Sequence, residues 1–105
     1  MKSYKVEYLP FAKNYLLEIV DYISHTLKKP KAANRLAEEI VGEIKGLSEF
    51  PYSTQIYIPI RPLGYEYRKL LVKNYMILYW VDERTKVITI ARVSYAKRNF
   101  DSLLI

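Results

Sequence analysis

The chain has 105 residues, half of them apolar and 27% charged, with no cysteine, one histidine and a formal net charge of +6. That supports one domain spanning residues 1–105 with a single modest core, and the composition excludes a disordered chain. The missing cysteines exclude disulfides and zinc–thiolate sites and make the cytoplasm the default compartment. One histidine excludes a histidine metal cluster, so no cofactor is expected.

Near the start, Lys2, Lys5, Glu7 and Lys13 interrupt every apolar segment, which argues against a secretory leader. No apolar run approaches the ~18 residues of a membrane span. Ser3 to Leu9 alternates, with Tyr4, Val6 and Tyr8 on one side and Lys5 and Glu7 on the other. This predicts a strand with one buried face. Pro10 ends it and suits the first turn of a helix, where a missing N–H costs nothing.

From Phe11 to Leu27, Ala12, Tyr15, Leu16, Ile19, Val20, Ile23 and Leu27 recur at helical steps, predicting an amphipathic helix. Lys28 and Lys29 complement its dipole. His25 falls on its polar border, a surface position rather than that of a general base. Pro30 opens a second helix running to about Glu49, with Ala33, Leu36, Ala37, Ile40, Ile44 and Leu47 as its stripe. The short link predicts an antiparallel helical hairpin. Gly42 and Gly46 weaken the second helix locally and suggest close approach to a neighbouring element.

Phe50-Pro51 stops the hairpin. Tyr52 to Leu63 is irregular and proline-bounded, and Ile56 to Ile60 is apolar enough to pack as an edge segment. Three runs rich in β-branched and aromatic residues follow, Gly64–Val72, Tyr75–Val81 and Val87–Val93. They are separated by Lys73-Asn74, where Asn tolerates positive φ, and by Asp82–Lys86, which predicts an antiparallel meander. The order β-α-α-β-β-β implies an α+β fold, an antiparallel sheet with a helical hairpin on one face.

The charge is concentrated on this sheet. Residues 61–98 carry nine basic and three acidic side chains, against eight and seven in residues 1–60. A basic sheet suits a phosphate backbone or an acidic protein, and Arg61, Lys69, Lys73 and Lys97 are candidates for contacting such a target. Arg68, Arg92, Tyr95 and Arg98 could serve phosphoryl chemistry, the arginines by stabilising transition-state charge and the tyrosine by stacking or proton transfer. Strand alternation turns Arg68 and Lys69 to opposite faces unless a bulge intervenes. Tyr4, Tyr8, Tyr15, Tyr75 and Tyr79 fit packing better than ligand stacking.

Several blocks together resemble the RelE/ParE superfamily of toxins from bacterial type II toxin–antitoxin modules. They are Ala32-Ala33-Asn34-Arg35-Leu36, Leu47-Ser48-Glu49-Phe50-Pro51, Gly64-Tyr65-Glu66-Tyr67-Arg68-Lys69-Leu70, Asn74-Tyr75-Met76-Ile77-Leu78-Tyr79 and Arg92-Val93-Ser94-Tyr95-Ala96-Lys97-Arg98. The resemblance implies a toxin neutralised by a cognate antitoxin that wraps it. RelE-like members cleave mRNA in the ribosomal A site, and ParE-like members inhibit DNA gyrase. Many members carry an arginine after the tyrosine of the Asn-Tyr pair, where this chain has Met76, and a histidine where it has Tyr95. Without that arginine, Arg68, Arg92 or Arg98 would have to supply the charge for RNA cleavage. The alternative is a non-toxic basic module that binds nucleic acid or an acidic peptide.

Overall fold

In a computed structural model, the described residues are 3–58 and 64–95. Strand β1 (Lys5–Tyr8) leads into helix α1 (Pro10–Asp21), and helix α2 (Pro30–Gly46) follows. Strands β2 (Gln55–Ile56), β3 (Arg68–Val72), β4 (Tyr75–Asp82) and β5 (Val87–Tyr95) complete the chain order. Both helices start on a proline at their first turn. The two helices cover one face of a five-stranded sheet of order β1-β5-β4-β3-β2.

The sheet is mixed rather than antiparallel. β1 runs parallel to β5, with Lys5 opposite Val87 and Tyr8 opposite Ile90. The helical hairpin begins the long connection that a parallel pair requires, which then runs through β2, β3 and β4 before reaching β5. At the other edge, the apolar segment after the hairpin supplies the two-residue β2, antiparallel to β3. Residues 59–63, including Pro59 and Arg61, and residues 96–105 lie outside the described residues.

The core is where the sequence stripes point. Ala12, Ile19, Ile40, Ile44 and Leu47 pack on Leu70, Val72, Ile77, Tyr79, Ile88, Ile90 and Val93. Tyr4, Tyr8, Tyr15 and Tyr75 pack at its margin. Ile90 and Val93 are three residues apart yet share the core face. The register explains this, because it slips between Leu78 and Tyr79, whose partners are Arg92 and Ile90. Ala91 is the extra residue of a β-bulge, and the bulge resets the alternation so that Val93 turns inward and Arg92 outward.

Three local expectations change. α1 stops at Asp21, and Tyr22–Thr26 forms a wider π-helical turn closed by Leu27 N–H donating to the Tyr22 carbonyl at 3.0 Å. Gly42 and Gly46 mark no close approach, since a Cβ at either would meet nothing within 4 Å. In the β3–β4 turn it is Lys73, at φ 55°, that takes the left-handed conformation, not Asn74. Lys28 and Lys86 do the same, at φ 56° and 57°.

Candidate functional site

The helix side of the sheet carries a groove of about 710 Å³ between α1, the start of α2, the β3–β4 turn and the end of β5. Tyr15, Ile19, Tyr22, Ile23, Leu27, Leu36, Tyr75 and Tyr95 line it, with Glu18 and Lys73 at the rim. The π-helical turn contributes Tyr22 and Ile23 to this lining. Two further hollows adjoin at Tyr15. One of about 410 Å³ reaches Leu9, Phe11, Ala91 and Arg92, and one of about 260 Å³ reaches Pro10 and Asn14. Phe11 stands 86% exposed beside them. The result is one apolar track along α1.

Phenols dominate this track. Tyr75 and Tyr95 meet edge to face at 5.3 Å. Burial, then the neighbouring Tyr15 and Tyr95, push the Tyr75 phenol above its ordinary pKa. It therefore stays neutral near pH 7 and can donate a hydrogen bond but not act as a base. Lys73 pairs with Glu39 across 3.6 Å. His25 is turned to solvent, held by Asp21 at 2.9 Å, and does not line the groove.

A second polar cluster joins the hairpin end to the sheet. Glu83, in the β4–β5 turn, accepts hydrogen bonds from Lys86 Nζ (2.6 Å), Tyr4 Oη (2.7 Å) and Tyr52 Oη. These donors, Lys86 foremost, lower its pKa to about 2. The Tyr52 phenol is raised, first by burial and then by Glu83. Arg68 lies over the Tyr52 ring at 5.2 Å and reaches the Tyr52 carbonyl at a long 3.5 Å. Its Nε and Nη1 are enclosed without hydrogen-bond partners. Beneath it, Tyr79 Oη donates to the Pro51 carbonyl at 2.8 Å.

The face away from the helices is built differently. Cross-strand register sets Leu71, Met76 and Ser94 in one row and Lys69, Leu78 and Arg92 in the next. Trp80 follows, opposite Thr89. Tyr65 stacks on Trp80 at 4.1 Å with the rings 2° from parallel, and Tyr67 meets Trp80 edge-on at 5.5 Å. Met76 and Leu78 are only 4% and 8% exposed, yet both stand outside the helix-side core.

The sequence candidates are therefore dispersed. Arg68 pairs with Tyr79 on the helix side, whereas Lys69 pairs with Leu78 on the other face, because the bulge lies in β5 and not in β3. Arg92 is turned to the outer face, and Tyr95 lies back on the helix side against Tyr75. Lys73 is at the groove rim. Arg61, Lys97 and Arg98 fall outside the described residues. The Tyr65–Trp80–Tyr67 cluster escaped the sequence reading. Its signal was the Tyr-x-Tyr step before β3 and the tryptophan out of phase with Tyr79.

A family model described as the ParE toxin of type II toxin–antitoxin systems, parDE, matches residues 6–100. Among solved structures, the chromosomal ParDE system from P. aeruginosa aligns with a TM-score of 0.71 at 18% identity, over 90% of this chain and 98% of that one. The archaeal RelE–RelB complex from Pyrococcus horikoshii OT3 aligns at 0.61 and 18% identity, covering 91% and 98%. The RelBE2 toxin–antitoxin complex from Mycobacterium tuberculosis aligns at 0.58 and 20% identity, covering 89% and 98%. No curated protein matches significantly.

Proposed function

The chain belongs to the family of ParE toxins of type II toxin–antitoxin systems, and from that membership we propose that it arrests growth by binding DNA gyrase, without cleaving RNA. The observation that carries this reading is the dispersal of the charged candidates among the described residues. A phosphoryl-transfer site needs its cations within reach of one phosphate. Arg68 and Arg92 lie on opposite faces, and Tyr95 shares a face with Arg68 but stands at the Tyr75 end of the sheet. Arg68 is further committed to Tyr52. At the position where the resemblance expects an arginine, Met76 is an apolar, buried side chain.

A cognate antitoxin is the second partner, and the apolar track along α1 is its seat. An amphipathic segment would lay its apolar stripe over Tyr15, Tyr22 and Leu36, in the helix-in-groove mode. A net-acidic segment suits a chain of net charge +6.

Induction of the chain in cells tests the mechanism. Mapping of mRNA ends should find transcripts intact at ribosomal A sites, alongside an SOS response and gyrase stalled on DNA. Cleavage at A sites with normal supercoiling would overturn the gyrase reading in favour of a ribosome-dependent ribonuclease. Unimpeded growth with soluble, folded protein would favour the non-toxic binding module.

A further inference from the structure

We infer that Tyr65, Trp80 and Tyr67 form a stacking platform for an unpaired nucleobase, on the sheet face away from the helices. The inference goes beyond the gyrase reading and stands whether or not that reading holds.

The geometry begins with the Tyr65–Trp80 stack, 4.1 Å between centroids and 2° from parallel. Trp80 is fixed from below by its place in β4 and from the side by the Tyr67 edge at 5.5 Å. Trp80 is held in a strand, so a guest ring pays little to order that half of the stack. One face of Tyr65 lies on Trp80, yet Tyr65 remains 56% exposed. That exposure leaves Tyr65 surface for a third ring.

Charge selects the guest. The neighbouring row on the same face carries Lys69 and Arg92. Among the described residues, the acidic groups of this face keep their charge but have local partners. Glu7 is bridged by Lys5 at 3.5 Å, and Asp82 Oδ1 accepts from the Arg84 and Thr85 amides at 2.9 and 3.2 Å. Glu66, next to Tyr65 in sequence, is exposed. A cationic side chain, the other common guest of an aromatic pair, would meet Lys69 and Arg92. A nucleotide presents a ring to Tyr65 and a phosphate to those cations. This pairing of aromatic face and basic flank is the general device for single-stranded nucleic acid.

Trp80 is the sole tryptophan among eleven tyrosines, so tryptophan emission, excited beyond the tyrosine absorption band, reports this site alone. The experiment titrates the purified full chain with a single-stranded oligonucleotide of about twelve nucleotides, and with an abasic strand carrying the same phosphates. Saturable quenching of Trp80 by the base-bearing strand is expected, with the abasic strand bound about 5- to 100-fold more weakly. Tyr65→Ala should erase that difference, and Tyr65→Phe should retain it. Lys69→Gln should weaken both strands alike and reduce the salt dependence. Equal affinity for the two strands, or an unaltered preference in Tyr65→Ala, would overturn the inference. So would Trp80 emission that responds to a protein target but to neither strand.

Discussion

The two faces of this sheet use the same residue types for different ends. On the helix side, Tyr4, Tyr8, Tyr15, Tyr75 and Tyr79 work as packing groups, and the charged Arg68 is drawn into that packing over Tyr52. On the opposite face, Tyr65, Tyr67 and Trp80 gather on one another, and Lys69 and Arg92 remain available beside them. A residue's chemistry therefore does not reveal its role in a chain with eleven tyrosines and seventeen cations. The face it occupies does, and the face is decided by register. One bulge at Ala91 separates an outward Arg92 from an inward Val93.

The sharpest test of that division sets one β-strand residue against another. Ile77, fully buried under the helices, should cost about 2–5 kcal/mol when changed to Ala, by lost transfer energy and a cavity. Leu71, paired with Met76 on the other face and 60% exposed, should cost less than about 0.5 kcal/mol on the same change. Urea unfolding of the two variants measures both, and equal costs would erase the distinction between the faces.

The next effect concerns Arg68. Its enclosed, unpartnered Nε and Nη1 have lost water without gaining acceptors. Arg68→Met removes those donors and keeps the stem, so it should leave stability unchanged or raise it by about 1 kcal/mol in the same assay. A loss of several kcal/mol would reveal a partner for the guanidinium and return Arg68 to the candidates for function. Smaller still, Lys73→Gly relieves a left-handed backbone at φ 55° and should be stabilising or neutral by about 0.5 kcal/mol.

The smallest effect is that of pH on Glu83, whose cluster is exposed to solvent screening. Its folded pKa of about 2 lies below the ordinary carboxylate value. The stabilisation is therefore complete above the unfolded pKa and is lost as pH falls through the folded one. Melting temperature followed from pH 5 to pH 2 should drop less in Glu83→Gln than in the parent chain.

Most of the architecture was legible because periodicity is local. Alternation in Tyr4-Val6-Tyr8 and the three- and four-residue steps from Ala12 to Leu47 each reflect a face of one element. What stayed hidden depends on two elements at once. The pattern of Tyr4 to Tyr8 is the same for a parallel and an antiparallel neighbour, so pairing with β5 carried no sequence mark. The bulge at Ala91 has no glycine to announce it. At the candidate sites, the tyrosine-rich packing was readable residue by residue. The docking of Arg68 on Tyr52 and the Tyr65–Trp80 stack were not, since each needs a loop to fold back on a strand.

The strand order also fixes when the fold can close. β1 is synthesised before the other described strands, but its sole sheet neighbour among them is β5, the last of them in chain order. Lys5 waits for Val87, while the β3–β4 and β4–β5 hairpins can form as soon as they emerge. Long-range closure of this kind slows folding and postpones completion of the sheet until β5 has been made. A nascent chain thus exposes an unpaired first strand and the undersides of both helices until β5 arrives. A member of this toxin family built on this strand order completes its sheet only once β5 is out.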